Sequence, residues 1–437
     1  LPVRVQAPAA WPIAAGSRIL PLIVDHSWLL LVLAMGYPVI DYLLRPRSVT
    51  PGSAAAAGVP TTGGLAGTWD EILLAAGLFL ILLRLVYRGP QTYRYTSLDI
   101  PILVYAGVFV FLFLIRSPET AVGLEGVRVY IEYVIWFFVA AQLCDRQRQV
   151  EILTLVLVGL TTLIALYGIA QYVIGVEVPA TWIDQAEAGV RTRVFSILTS
   201  PNVLGSILTM VLPLSMAGLL TASRLRARAA FAAAAATMAL CLVFTFSRGA
   251  WLACFAAFLA FSLLYESRLL LALTAAVLGA PVLFPEVVAR LAYLFSPEYI
   301  ASSVRAGRLA RWQLALEHLK LHPLAGEGFG RFGGAVATRA IPGSFYVDNF
   351  YLKTAAEGGL IALGTLLWVF ALAIRAGYRA VISAATPRSR ALAAAVLSGL
   401  LGVLVHNAVE NIFEVPMMAT LFWSLLGLLV VLPGLPE

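Results

Sequence analysis

The sequence predicts an all-α polytopic membrane protein, and composition and hydropathy support that prediction. Of the 437 residues, 61% are hydrophobic and only 12% are charged, and the mean hydropathy is +0.90. Soluble globular chains have roughly 45–50% apolar and about 25% charged residues. Long apolar runs also recur along the whole chain. This composition excludes a soluble enzyme, a disordered chain, a collagen and a coiled coil.

About twelve apolar runs are long enough to be transmembrane helices, which need about 20 mainly apolar residues. The runs lie at 22–44, 69–88, 98–115, 127–144, 151–175, 203–222, 229–246, 249–265, 269–284, 350–374, 391–407 and 415–432. Only residues 266–268 separate the eighth run from the ninth, so the count depends most on this stretch. We interpret residues 1–432 as a single integral membrane domain.

The arginines orient the predicted bundle, because Lys and Arg concentrate in cytoplasmic loops. The connections after even-numbered spans hold most of the short-loop arginines: Arg88, Arg94, Arg146, Arg148, Arg224, Arg226, Arg228, Arg268, Arg375, Arg379, Arg388 and Arg390. Both termini are then cytoplasmic. The long loop 285–349, between spans nine and ten, is extracytoplasmic. Within it, residues 303–321 have the spacing of an amphipathic helix that ends at His322-Pro323.

The charge and the cysteines limit the kinds of partner. The net charge is +7, and all but two of the thirty cations are Arg, whose planar fork binds phosphate in a bidentate manner. The positive charges are scattered among apolar runs, which argues against nucleic acid. The three cysteines, Cys144, Cys241 and Cys254, lack metal-ligand spacing. The sequence therefore predicts an anionic ligand and no metal or cofactor.

Arginines at the outer ends of spans are candidate phosphate ligands, because a charge within a membrane costs roughly 2.5–3.5 kcal/mol unless it is paired. Arg191 and Arg193 precede the Ser-Pro-Asn sequence at 200–202, which predicts a helix start where backbone N–H groups favour an anion. Arg248 lies between two apolar runs with no acidic residue near it in sequence. Alternatively, these arginines anchor lipid headgroups or extend out of a turn toward water.

Asp348 lies where the long loop meets the tenth apolar run, next to Asn349. A carboxylate in a partly dry cleft can act as a general base. Asp348 could instead cap the helix. Glu357 is a second candidate base, although Lys353 lies four residues earlier and could neutralise it.

Two further pairs are spaced four residues apart. His406 and Glu410 could handle a proton or bind a sugar, or they could form a hydrogen-bonded pair that fixes two helices. For Arg128 and Glu132 we favour a structural ion pair.

Four motifs in order resemble the O-antigen ligase and polymerase superfamily of bacterial envelopes. They are R-V-F-S with S-P-N at 193–202, F-S-R-G-A at 246–250, R-W at 311–312 with H-P-L-A-G-E-G-F-G at 322–330, and D-N-F-Y-L at 348–352 with E-G-G at 357–359. The resemblance covers roughly residues 190–432. Each motif alone is weak, whereas their order, spacing and predicted outer position are specific.

The resemblance implies a GT-C-like glycosyltransferase of the bacterial inner membrane whose active site faces the extracytoplasmic side. Members transfer a glycan from undecaprenyl pyrophosphate, among membrane lipids, to lipid A core, another lipid-linked glycan or a protein, without a metal. Arginines at the positions of Arg193 and Arg248 hold the pyrophosphate, and Arg191 is a neighbouring candidate. Family ligases often have His-Asn where this chain has Asp348-Asn349, and that His is the proposed base.

This departure leaves the base open between Asp348, Glu357 and His406. It also weakens the expectation that lipid A core is the acceptor. Asn349, Glu410 and Arg311 are candidate substrate contacts.

Three alternatives remain at this point. The first is a surface-polysaccharide polymerase or protein O-oligosaccharyltransferase of the same superfamily. The second is a lipid-glycan flippase or secondary transporter, which should have midplane charges and inverted repeats; neither is clear in this sequence. The third is a non-catalytic scaffold for envelope assembly.

Overall fold

The computed structural model describes residues 19–45, 67–177, 192–198, 200–283 and 285–437. These residues form nineteen α-helices and four short 3-10 turns, and no strand occurs among them. The α-helices are α1 Ile19–Asp25, α2 Leu30–Met35, α3 Tyr37–Leu44, α4 Trp69–Arg88, α5 Asp99–Ile115, α6 Thr120–Ile131, α7 Ile135–Leu143, α8 Gln147–Ile174, α9 Pro201–Thr221, α10 Leu225–Phe244, α11 Arg248–Leu264, α12 Leu269–Leu283, α13 Pro285–Tyr293, α14 Pro297–Arg305, α15 Arg308–Leu321, α16 Ala335–Ala340, α17 Phe350–Ile382, α18 Pro387–His406 and α19 Pro416–Val431.

Six described helices are long and apolar enough to cross a membrane: α8, α9, α10, α17, α18 and α19 with the 3-10 turn that follows it. A seventh candidate is a broken span, in which the segment 27–35 and α3 meet at 71°. Helices α5 and α11 are apolar but have only 17 residues each. The prediction of a polytopic helical membrane protein is confirmed, whereas the count of about twelve spans stays a prediction.

Two of the predicted spans differ from the helices for physical reasons. The run 127–144 is divided between α6 and α7, with a break at residues 132–134. Helix α4 has spanning length, but it contains four charged residues. All four form ion pairs with neighbouring segments; Asp70 pairs with Arg45 at 2.8 Å, and Arg84 pairs with Asp145 at 3.0 Å. These charges lower its hydropathy without exposing it to water.

Helices α9, α11 and α18 pack at the centre of the bundle through small residues. A Cβ atom added to Gly399 of α18 would lie 2.2 Å from the carbonyl oxygen of Met210 in α9. A Cβ atom on Gly205 of α9 would lie 2.3 Å from the Cβ of Ala250 in α11. Small residues of this kind allow helix backbones to approach closely within a membrane. This packing fixes the ends of the three helices relative to one another.

The segment predicted as an amphipathic helix at 303–321 begins later in the structure. Ser303 belongs to α14, and α15 begins at Arg308 and ends at Leu321, as the His322-Pro323 sequence predicts. Ala315 of α15 is buried, and Trp312 donates a hydrogen bond to the carbonyl of Val347 at 3.1 Å. Helix α15 therefore packs against the segment that leads into α17.

Helix α17 is interrupted at Gly359, which has a φ of 68°. The glycine-rich turn after α15 occupies this kink. The amide of Leu360 donates to the carbonyl of Pro323 at 2.8 Å, and the amide of Gly328 donates to the carbonyl of Glu357 at 3.0 Å. The loop thus supplies hydrogen-bond partners for backbone groups that the kink leaves unpaired and that a straight helix would pair internally. It also locks the loop against the first turns of α17.

We predict that Gly359→Ala destabilises the protein, because its Cβ would lie 2.2 Å from the carbonyl oxygen of Leu324 at a left-handed φ. Left-handed strain alone costs about 1–3 kcal/mol. The thermal midpoint of the detergent-solubilised protein measures the effect. Gly364→Ala in the same helix is the matched control, since its Cβ would have no neighbour within 4 Å. Equal midpoints for the two variants would contradict this role of the kink.

Candidate active site

A cavity of about 290 Å³ lies where the starts of α9, α11, α15 and α17 meet the end of α18. Arginines dominate its charged lining. The cations are Arg193, Arg248, Arg290, Arg308 and Arg311, and the carboxylates are Asp348 and Glu410. The cavity therefore has an excess of three positive charges. Helix N-termini add partial positive charge at the same place.

Arg193 and Arg290 are buried, with 9% and 6% of their surface exposed. Each is held by the turn between α10 and α11. Arg193 Nε donates to the carbonyl of Thr245 at 3.1 Å, and Arg290 Nε donates to that of Phe246 at 2.8 Å. Arg193 Nη2 also donates to Asn202 Oδ1 at 3.2 Å. Burial, followed by the charge on Arg290, lowers the pKa of the Arg193 guanidinium to about 9.

Arg248 is the first residue of α11. Ser247 caps this helix by accepting a hydrogen bond from the amide of Ala250 at 3.3 Å. The Arg248 guanidinium carbon lies 5.1 Å from the ring centroid of Tyr299, a cation–π distance. An anion in the cavity would therefore face both a guanidinium and free amides of a helix N-terminus.

Helix α9 starts in the same way, as the Ser-Pro-Asn sequence predicts. Ser200 caps the helix by accepting from the amide of Asn202 at 3.1 Å, and the Asn202 side chain lines the cavity.

Asp348 faces the cavity, and the next residue, Asn349, caps helix α17. Asn349 Oδ1 accepts from the amide of Leu352 at 2.9 Å, so the predicted alternative in which Asp348 is the cap is wrong. Asp348 Oδ2 instead lies 3.2 Å from Arg311 Nη1 and 3.4 Å from Arg308 Nε. The Asn349 side chain caps the helix, and the Asp348 carboxylate lies beside the cavity arginines Arg308 and Arg311.

Two non-glycine residues that line the cavity have left-handed backbone conformations. The φ angle is 50° at Phe246 and 52° at Asp348. Such conformations cost about 1–3 kcal/mol each and persist where the surrounding structure imposes them, often at functional sites. Here each strained residue directs the chain into a helix start beside the cavity.

Glu410 is partly buried and contacts two other cavity residues. Its Oε1 accepts from Arg308 Nη2 at 2.7 Å and also from Asn202 Nδ2. Burial, and secondly the charge on Asp348, raises the pKa of the Glu410 carboxyl to about 7, while Arg308 and Arg193 oppose the shift. Glu410 is therefore a carboxyl that can change charge near neutral pH.

His406 is the last residue of α18, so Glu410 lies beyond the helix and the two do not share a helix face. The predicted pair is not formed. His406 Nδ1 is 2.5 Å from Ser206 Oγ, and its buried Nε2 has no hydrogen-bond partner among the described residues. A Cβ atom on Gly249 would lie 3.0 Å from that Nε2, so the glycine permits this close approach.

Residues 233–369 match the family model described as O-Antigen ligase. The match covers 137 of the 437 residues, so this part of the chain is similar to O-antigen ligases. No curated protein matches the chain. This partial match suggests a membrane glycosyltransferase of the O-antigen ligase and polymerase type. The matched segment includes five charged residues of the cavity: Arg248, Arg290, Arg308, Arg311 and Asp348.

Glu357, one of the three candidate bases predicted from the sequence, does not line the cavity. Lys353 Nζ is 2.6 Å from Glu357 Oε2 and 3.3 Å from Glu414 Oε1, and both members of the first pair are almost fully buried. The Tyr130 hydroxyl donates to Glu357 at 2.9 Å. These contacts favour the alternative in which Lys353 neutralises Glu357 inside the helix bundle.

The remaining predicted residues are placed as follows. Arg191 lies outside the described residues. Arg128 and Glu132 form the expected pair, with a 3.2 Å contact. Sequence reasoning about the O-antigen ligase superfamily missed Arg290 and Arg308. Arg308 had a usable signal, because it lies three residues before the motif residue Arg311, whereas Arg290 had none.

We predict that Glu357→Gln retains glycan transfer per folded molecule, whereas Lys353→Met lowers stability. Removing Lys353 leaves Glu357 and Glu414 without their buried cation, which costs about 3–5 kcal/mol for a buried pair. Thermal unfolding and transfer assays on the same preparations separate the two effects. A Glu357→Gln protein with normal stability but no transfer would restore Glu357 as a catalytic candidate.

Proposed function

We propose that this protein transfers a glycan from an undecaprenyl-pyrophosphate-linked donor to an acceptor hydroxyl at the outer face of the bacterial inner membrane. The acceptor is lipid A core, a second lipid-linked glycan or a protein. The family match at residues 233–369 supports the reaction class. The single observation that supports the donor is the arginine cluster of the cavity.

The arginine cluster gives the cavity a net positive charge. Five arginines and two carboxylates line it, which leaves an excess of three positive charges. Buried like charges are costly unless an opposite charge accompanies them. A pyrophosphate that joins a lipid to a sugar has two negative charges at neutral pH, so it suits three guanidiniums. Three guanidinium forks can also hold it by bidentate hydrogen bonds.

The same arrangement favours the chemical step. The bond between the anomeric carbon and the pyrophosphate oxygen breaks, and the acceptor oxygen forms the new glycosidic bond. Negative charge grows on the leaving pyrophosphate, and prearranged guanidiniums stabilise it in a site with little water. We therefore propose that the reaction is metal-independent. A single displacement would invert the anomeric configuration.

The acceptor hydroxyl must lose a proton, and we assign this role to Asp348. Its carboxylate lines the cavity and occupies the position where family ligases have the proposed base. A positioned base accelerates such a step roughly 10²–10⁴-fold. His406 is the alternative, because its buried Nε2 lines the same cavity without a partner.

The proposed membrane placement follows from the helices. The cavity lies at the N-terminal end of α9 and the C-terminal end of α18, two of the spanning candidates. With both termini cytoplasmic, this end faces outward, and the polyprenyl chain of the donor stays among membrane lipids.

We predict that Arg193→Ala and Arg248→Ala each reduce glycan transfer about tenfold or more, up to complete loss. Charge-assisted hydrogen bonds contribute about 1.5–3 kcal/mol each. Proteoliposomes supplied with a lipid-linked glycan measure the new glycosidic bond. Arg305→Ala is the control, since this arginine lies in the same loop but does not line the cavity. Normal transfer by both cavity variants would refute the site, and translocation without bond formation would favour a transporter.

We predict that Asp348→Asn loses transfer about 10²-fold or more while donor binding persists. Asp348→His should recover part of the rate, because imidazole can accept the same proton. His406→Gln serves as the comparison. Transfer that survives Asp348→Asn but disappears with His406→Gln would assign the base to His406.

A further inference from the structure

A second cavity, of about 350 Å³, lies at the opposite ends of the same helices. Residues from the C-terminal turn of α9 and from the starts of α8, α10 and α18 line it. Helix α9 has 21 residues, so at 1.5 Å per residue its two ends are about 30 Å apart. That length equals the hydrocarbon thickness of a bilayer. This second cavity therefore lies at the other membrane face from the candidate active site.

The rim of this cavity is basic and incompletely neutralised. Arg148, Arg224 and Arg388 come from three different helix starts. Arg388 pairs with Glu151 at 2.8 Å. The side chains of Arg148 and Arg224 have no hydrogen bond or ion pair within the described residues. Two guanidiniums are thus available to an anion, beside helix N-termini that also favour negative charge.

Below this rim the wall is apolar. The last turns of α9 present the small residues Ala217 and Gly218 to the cavity, and Leu155, Phe231 and Leu392 line its sides. A Cβ atom on Gly218 would lie 2.5 Å from the Phe231 ring, so a larger residue there would displace that wall. The groove combines a cationic rim at the headgroup level with an apolar wall along the helices.

We propose that this groove binds a phospholipid with an anionic headgroup. The phosphate would lie between Arg148 and Arg224, and one acyl chain would pack along the small-residue face of α9. Basic pockets between transmembrane helices on the cytoplasmic side are suited to such lipids. The proposal is independent of the catalytic one, because no residue of this groove lines the candidate active site.

Native mass spectrometry of the detergent-purified full chain tests the proposal. Phosphatidylglycerol and phosphatidylethanolamine with identical acyl chains are the probes. Wild-type protein should retain phosphatidylglycerol preferentially, and the double variant Arg148→Gln/Arg224→Gln should bind it about tenfold or more weakly. The double variant Arg226→Gln/Arg228→Gln is the matched control, since it removes two arginines of the same helix region that do not line the groove.

A second variant tests the groove without changing charge. Ala227→Trp on α10 should fill the space beside Arg224 and exclude the lipid while every arginine remains. If the double arginine variant does not fold, this variant decides the outcome. Equal binding of the two phospholipids, equal losses in the matched control, or unchanged binding by Ala227→Trp would overturn the proposal.

Discussion

The architecture of the candidate site depends on keeping several guanidiniums together in one cavity between helix ends. Backbone carbonyls make this possible. The turn between α10 and α11 supplies two of them, the carbonyl of Thr245 to Arg193 and that of Phe246 to Arg290. These contacts satisfy donors without neutralising charge, so the cavity stays cationic. Asp348 and Glu410 offset part of the like-charge repulsion, and an anion bound among the arginines would offset more of it.

One short segment, residues 245–249, therefore contributes several features of the site. Phe246 takes a left-handed conformation that turns the chain, Ser247 caps α11, and Arg248 extends from the first position of that helix. Gly249 leaves room for the His406 ring. A motif that looks weak in the sequence is thus accounted for residue by residue. The E-G-G motif at 357–359 has a different explanation, since its residues form the buried Lys353 pair and the kink of α17.

Sequence patterns predicted local features better than contacts between distant segments. The helical class followed from composition, and the start of α9 followed from its Ser-Pro-Asn sequence. The His406–Glu410 pair failed because it assumed that α18 continues, whereas the helix ends at His406. Glu357 was placed among candidate bases because a charge in an apolar run suggests function. Its partners Tyr130 and Glu414 are distant in sequence, so no local spacing reveals them.

Arg290 is a site residue that the sequence did not reveal, because its contacts are also with residues distant in sequence. It lies in α13, within the predicted loop 285–349, and shares no motif with Arg193 or Arg248. It reaches the cavity because α13 lies against the start of α11. The number of membrane spans also could not be predicted from local sequence. Hydropathy detects apolar runs, but a break such as that between α6 and α7 is determined by tertiary packing.

The two ends of α9 show how the surroundings of arginines determine what they can do. At the N-terminal end, Arg193 is buried, and its guanidinium is fixed by a carbonyl and by Asn202. A charge held in this way interacts strongly with an anion because little water screens it, and it need not reorganise during a reaction. At the C-terminal end, Arg148 and Arg224 are exposed and not fixed by the protein. Water and salt weaken their interactions, so they suit reversible attachment of a lipid headgroup rather than stabilisation of a transition state. Burial, rather than the number of arginines, therefore distinguishes a site suited to chemistry from one suited to lipid binding.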